Sequence, residues 1–177
     1  MKIFNNFLNE EEYKQIKSVL FGPDFPWYYN DGTVFDSETH KKYDFQFVHI
    51  FYEFDKINSN YFNLLKPILN KIKYFSLLRI KANLTTQTPS NIIGEMHTDY
   101  TVKPKNANIT TGIFYLDNND GYTKFSKKEI YSEDNKYVEF DGTTKHAGVS
   151  STNSHRRIVL NLNYIKLWLE EYYLDRH

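Results

Sequence analysis

The sequence predicts a mainly β fold, a sandwich or barrel of short strands with flanking helices. Three observations predict it. Helix-patterned segments come early in the chain, short extended segments set off by turn signals fill the rest, and aromatic residues make up 18% of the 177 positions, with 15 Tyr and 14 Phe. Elements ordered in this way favour a layered β architecture. So aromatic a chain is not disordered, because disordered chains lack the apolar side chains that offset ordering entropy. A chain of 177 residues matches one domain and buries roughly 70% of its unfolded surface on folding. We expect a single domain over 1–177, with helical N-terminal support over about 1–75 and the β core over about 75–165.

The chain opens on the apolar residues Ile3, Phe4 and Phe7. Asn9 then offers a helix N-cap, and Glu12 sits three residues on, in capping-box position. Tyr13, Ile16, Lys17, Val19 and Leu20 continue the helical pattern until Gly22-Pro23 stops it. Next, Phe45, Phe47, His49 and Phe51 alternate with Gln46, Val48, Ile50 and Tyr52, an aromatic-rich strand. A second helix is expected from Asn58 or Ser59, with Tyr61, Leu64, Leu65, Ile68, Leu69 and Ile72 on one face and Pro67 as an internal kink or break. Strands then follow over 74–84, 108–116, 137–140 and 157–165. They are separated by Pro89-Ser90-Asn91, Asn118-Asn119-Asp120-Gly121 and Asp141-Gly142. The polar stretch 85–96 is long for a loop, so we expect it to be mobile and to lie over a site.

Composition excludes several classes. There is no cysteine, so disulfides, thiolate metal sites and a cysteine nucleophile are out. Any metal must be held by His, Asp or Glu. Lys plus Arg equal Asp plus Glu at 22 each, which argues against a sequence-independent nucleic-acid binder, since phosphate neutralisation needs a basic excess. Only Lys103-Pro104-Lys105 offers a local basic patch. No apolar run reaches the ~20 residues of a membrane span, and the N-terminus turns acidic too soon for a signal peptide. The expectation is a soluble, cytoplasmic protein without a membrane segment.

Three features carry chemistry. In His97-Thr98-Asp99, an extended backbone points positions i and i+2 to one side, so both side chains reach one ion. The pair alone arises readily by chance. His146, shortly after Asp141-Gly142, adds a second imidazole. Two His and one carboxylate suit a non-haem Fe(II) centre with open positions, and some zinc enzymes use the same set. Finally, Arg156 and Arg157 follow His146 by ten and eleven residues. Strand alternation puts Arg157, Val159, Asn161 and Asn163 on one face and Arg156, Ile158, Leu160 and Leu162 on the other. A buried arginine needs an anion, and its fork fits a carboxylate. An ordinary structural salt bridge would satisfy it too.

Taken together, residues 77–164 resemble the 2-oxoglutarate/Fe(II)-dependent oxygenase superfamily, within it the prolyl-4-hydroxylase-like branch. The resemblance rests on His97-Thr98-Asp99, the run Thr110-Thr111-Gly112-Ile113-Phe114-Tyr115-Leu116-Asp117, the turn Gly121-Tyr122-Thr123-Lys124-Phe125, Phe140 leading to His146, and Arg157, in that order. It implies a double-stranded β-helix, the jelly-roll or cupin-like barrel, as the β core. It implies Fe(II) on His97, Asp99 and His146. The co-substrate 2-oxoglutarate would be bound by Arg157 and Tyr115, with Asn83, Asn161 and Asn163 lining the pocket. In that family the basic residue commonly follows the second His by nine or ten places, which would favour Arg156; strand parity favours Arg157. The implied activity couples oxidative decarboxylation of 2-oxoglutarate, with molecular oxygen, to hydroxylation of a peptidyl (prolyl-like) residue or a small molecule. Specificity would lie in the loops 25–42, holding Trp27, Tyr28 and Tyr29, and 85–96. Two other readings stand beside it: a metal-binding, non-oxygenase jelly roll of cupin type, and a structural β-sandwich in which the His and Asp are incidental.

Overall fold

The computed structural model describes residues 1–32, 45–101 and 108–166. Lys103-Pro104-Lys105 and the part of the 25–42 loop beyond Gly32 lie outside the described residues. In chain order the elements are β1 (Lys2–Phe4), α1 (Glu10–Leu20), β2 (Tyr28–Asn30), β3 (Gln46–Glu53), β4 (Lys56–Ile57), a 3-10 turn (Phe62–Leu65), α2 (Lys66–Ile72), β5 (Tyr74–Thr86) and β6 (Ile109–Tyr115). They continue as β7 (Tyr122–Phe125), β8 (Glu129–Tyr131), β9 (Lys136–Asp141), β10 (His146–Val149) and β11 (Arg156–Lys166).

The first helix starts as its sequence requires. The Asn9 side chain accepts from the Glu12 N–H at 2.9 Å while Glu12 Oε2 accepts from the Asn9 N–H at 3.3 Å. Two of the helix's four unpartnered N-terminal donors are thereby satisfied. The expected second helix divides: residues 62–65 form a 3-10 turn and the α-helix begins only at Lys66. Pro67 lies in the first turn of α2, so it opens that helix instead of kinking it. A first-turn N–H has no intrahelical acceptor, and its loss costs nothing there.

Two antiparallel sheets face each other as a double-stranded β-helix. The larger runs β1-β9-β6-β11-β5-β3-β2 with β4 paired to β3, and the smaller runs β10-β7-β8. Strands β2, β4, β8 and β10 add to the expected set, and Tyr122–Phe125, read from sequence as a turn, is strand β7. These short segments have too few residues for alternation to show. The N-terminal part is more than helical support, because β1, β2 and β3 extend the large sheet.

Alternation divides the large sheet chemically. Its outer face packs Phe51, Ile80, Ala82, Leu84, Leu160 and Leu162 with α1 and α2 in the main apolar core. Its inner face contributes Ile113, Tyr115, Val138, Phe140 and Val159 to a second cluster closed by Phe125 and Ile130 of the small sheet. A register shift between Ile50 and Tyr52 interrupts β3, and with it Glu53 joins Val48 and Ile50 on the inner side. Among the described residues, no helix is long and apolar enough to cross a membrane.

Candidate metal centre and its cavity

His97, Asp99 and His146 converge as expected: one ligand atom from each lies within 4.8 Å of the others. The backbone enforces this. His97 and His146 form an isolated antiparallel bridge, His97 N–H to His146 C=O at 3.0 Å and the reverse at 2.9 Å, which sets the two rings 4.7 Å apart. Both rings are oriented by carbonyls. His97 Nδ1 donates to Glu95 O and His146 Nδ1 to Thr144 O, each at 3.0 Å. A carbonyl only accepts, so the Nδ1 atoms carry the protons and the Nε2 lone pairs remain free for an ion.

Asp99 is held from three sides. Thr111 Oγ1 and Asn163 Nδ2 donate to Oδ2 at 2.5 and 2.9 Å, and the Arg79 guanidinium meets Oδ1 at 3.3 Å. Burial pushes the Asp99 carboxyl up, but His146, the Thr111 hydrogen bond, Arg79 and Asn163 together pull it below its ordinary value. The group is therefore a carboxylate. Burial lowers His146, against the opposing pull of Asp99 and the Thr144 carbonyl, so its ring is kept neutral. Two imidazoles with free Nε2 lone pairs and an ionised carboxylate form a donor set that suits a divalent cation.

The triad opens on a cavity of about 740 Å³ that Arg157, Asn161 and Asn83 also line. Parity along β11 thus placed Arg157 inward; Arg156 points the other way, donating to Phe21 O at 2.8 Å and lying 4.7 Å over the Phe21 ring. Arg157 is 4% exposed. Its Nε donates to Ser132 Oγ at 2.8 Å and its guanidinium lies 5.8 Å from the Tyr115 ring centre. It makes no ion pair with a described residue, and one terminal nitrogen has no hydrogen-bond partner. Asn83 Oδ1, Thr85 Oγ1 and Asn161 Oδ1, all on the same cavity, are also buried without partners. Four polar groups without a partner among the described residues thus converge on one space, and each costs desolvation energy unless water or a ligand bonds to it.

Two expected pocket residues sit differently. Asn163 does not line the cavity; its Nδ2 donates to Asp99 and to Thr111 Oγ1, and its Oδ1 accepts from Arg79. The side chain lies behind the carboxylate because Asn163 pairs in register with Arg79 and Thr111, at the metal end of β11. Tyr115 is fully buried and donates to Thr123 Oγ1 at 2.7 Å, so Thr123 is the group that faces the space. Burial pushes the Tyr115 phenol up to about 12, partly offset by Arg157 and Thr123, so it stays protonated.

Arg79, Lys81, Thr85 and Thr111 were missed in the sequence. A signal was there: Arg79, Lys81, Asn83 and Thr85 alternate with Ile80, Ala82 and Leu84, the same polar-in, apolar-out pattern that singled out Arg157. The loop after β5 lies over the cavity, contributing Thr88, Ile92 and Ile93. Its backbone pairs with the segment at and after β10: Thr88 N–H bonds Ser151 O, Gly94 N–H bonds Gly148 O, and Ser150 N–H bonds Ile92 O, each at 3.0 Å.

Fold and site define a double-stranded β-helix with a candidate two-histidine, one-carboxylate metal set inside the barrel. Solved structures of that kind are what the chain is similar to. A Trichoplax adhaerens prolyl hydroxylase, in complex with a hypoxia-inducible-factor peptide, superposes with a TM-score of 0.64 at 10% identity, over 93% of this chain and 83% of that one. A collagen prolyl hydroxylase of Paramecium bursaria Chlorella virus-1, as a 2-oxoglutarate complex, gives 0.55 at 14% identity over 94% and 95%. A non-haem α-ketoglutarate-dependent epimerase from nogalamycin biosynthesis gives 0.62 at 10% identity over 93% and 76%. The fold is that of the prolyl hydroxylases and related 2-oxoglutarate oxygenases. Neither a protein-family model nor a curated protein sequence matches the chain.

Proposed function

We propose that this chain is an Fe(II)- and 2-oxoglutarate-dependent dioxygenase that hydroxylates a peptidyl, prolyl-like residue or a small molecule. The observation that carries the reading is Arg157, a buried guanidinium without an ion-pair partner, in the same cavity as His97, Asp99 and His146. The buried Asp117 carboxylate attracts Arg157 without forming an ion-pair contact, so the fork itself is left open. A buried cation favours an anion in contact, and a fork-shaped donor suits a carboxylate.

His97, Asp99 and His146 would hold Fe(II), and Arg157 would hold the distal carboxylate of 2-oxoglutarate. Bound together, the metal and co-substrate supply the oxidative chemistry, in which decarboxylation of 2-oxoglutarate by molecular oxygen drives oxidation of a substrate C–H bond. The chain's residues do the positioning. The Glu95 and Thr144 carbonyls fix both imidazole tautomers, and Thr111, Asn163 and Arg79 keep Asp99 ionised and aimed. Thr123 accepts from Tyr115, which leaves its own proton to donate to a ligand. Asn83, Thr85 and Asn161 offer the remaining polar contacts, while Ile113 and Val159 keep the wall between them apolar. Zero net charge speaks against a nucleic-acid substrate. Peptide and small-molecule substrates both find support, in the peptide complex and in the epimerase among the similar structures.

The test is thermal stability of metal-stripped protein with Mn(II), a redox-quiet stand-in for Fe(II), with and without 2-oxoglutarate. A ligand that binds only the folded state raises its apparent stability. The expected result is a Mn(II) shift that grows with 2-oxoglutarate and loses that increment in Arg157→Ala. A Mn(II) shift indifferent to 2-oxoglutarate would replace the reading with a cupin-type metal binder, and no shift would leave a structural domain.

A further inference from the structure

One cation on the cavity wall has no ion-pair contact among the described residues, although Asp99 and Glu53 attract it from a distance. Lys81 faces inward from the middle of β5, between Asn161 of β11 and Ile50 of β3 in register. It makes no hydrogen bond or ion pair with a described residue. Two residues away on the same face, Arg79 grips Asp99 at 3.3 Å and Asn163 at 3.1 Å, so Lys81 occupies the next inward position from the metal-holding carboxylate. The charge acting on it most strongly is that same Arg79, a like charge; Asp99 and Glu53 attract it less. Burial and Arg79 together pull its ammonium down to about 8, which still leaves it mostly protonated at neutral pH. A lysine held half-buried beside an arginine is costly unless a ligand supplies the missing charge.

The co-substrate does not need it. Of its two carboxylates, one matches Arg157 and the other the metal, and Arg157 pairs in register with Thr85, four residues along β5 from Lys81. On the β3 side Ile50 lies beside Lys81 in register with Val48 next to it, the Glu53 carboxylate lies further along opposite Arg79, and Ile92 of the overlying loop also faces the space. The cavity, about 740 Å³, is of the size that takes small molecules.

We propose that the substrate is a small aliphatic carboxylate, and that Lys81 is the specificity residue that binds its carboxylate group within reach of the metal centre. The inference rests on the oxygenase reading and narrows it, favouring a free acid over an internal residue of a peptide, whose backbone carbonyls carry no charge.

The test uses the full chain loaded with Mn(II) and 2-oxoglutarate. Free L-proline, L-leucine, L-valine, butanoate and hexanoate are each compared with the corresponding carboxamide, by added thermal stability and by equilibrium titration. At least one free acid is expected to bind more tightly than its amide. Lys81→Met, which keeps the length of the side chain but not its charge, should weaken that acid roughly tenfold or more and abolish the preference; Lys81→Arg should restore it. Equal response to acids and amides, no response to any acid, or a preference that survives in Lys81→Met would overturn the proposal. Loss of the 2-oxoglutarate increment itself in Lys81→Met would also overturn it, by giving Lys81 to the co-substrate. Failure of wild-type protein to respond to 2-oxoglutarate is a separate result, and it alone removes the oxygenase reading beneath.

Discussion

Thr111 is a small part of the candidate metal centre, yet its hydroxyl makes the shortest contact that Asp99 has, 2.5 Å to Oδ2. Partners behind a ligating carboxylate commonly change metal affinity by about 10- to 100-fold when removed. Thr111→Val keeps the shape but loses the donor to Asp99 and the acceptor for Asn163, so Mn(II) affinity measured by titration should fall by about that factor, and the metal-free protein should lose about 1–3 kcal/mol in urea unfolding. Asp120 gives a second residue-level expectation. Burial pushes its carboxyl up, but hydrogen bonds from Thr152, Ser151 and Asn153 outweigh this and bring it from 3.8 to about 2. A depressed folded value means the contribution is present above the unfolded value and lost as pH falls through the folded one. Asp120→Ala should cost about 1 kcal/mol at neutral pH, the carboxylate being only half-buried. In urea unfolding, that gap should close as pH is lowered from about 4 towards 2. The sequence made the candidate ligands and Arg157 legible because strand parity decides which side chains share a face. Parity does not say how far along the strand a group sits. Asn163 was therefore placed on the correct face and assigned the wrong neighbour, Asp99 being that neighbour in the structure.

At the scale of elements, the turn into β7 shapes the pocket as much as the strands do. A Cβ on Gly121 would lie 2.5 Å from Arg157 Cδ and 3.0 Å from its Nε. Gly121→Ala should therefore displace the guanidinium from Ser132 and remove the 2-oxoglutarate increment in the thermal assay, with the Mn(II) shift retained. Strand β11 separates stability from function by alternation. Leu162 is fully buried in the helix-side core, and Leu162→Ala should cost about 2–5 kcal/mol in urea unfolding. Asn161 faces the cavity with an unpaired Oδ1, so Asn161→Leu should leave stability unchanged or raise it while weakening 2-oxoglutarate. Long alternating strands such as β5 and β11 were readable in the sequence, and so was α1, through its capping box. The three- and four-residue strands β8 and β10 were not, because pairing with neighbours rather than their own pattern makes them strands.

For the whole molecule, the layout is one sheet with two uses. The outer face of the large sheet carries the apolar contacts with α1 and α2, while the inner face shares a smaller apolar cluster with the small sheet and holds the polar groups of the cavity. The fold class was legible from the order of elements and the spacing of turns. The cavity was not, since its walls come from β3, β5, β10, β11 and the loop over it, segments far apart in the chain. The backbone clip between His97 and His146 has a consequence for the living cell. Two rings and a carboxylate gathered on one side of the barrel offer the same N/O donors to any first-row divalent ion, so the donor set by itself gives little means of rejecting the wrong one. Thiol-free N/O donor sets bind later first-row ions more tightly than Fe(II). On the proposed oxygenase reading, added Zn(II) or Cu(II) should displace Mn(II) in a competition titration and suppress turnover, and the ion carried would follow the supply around the protein.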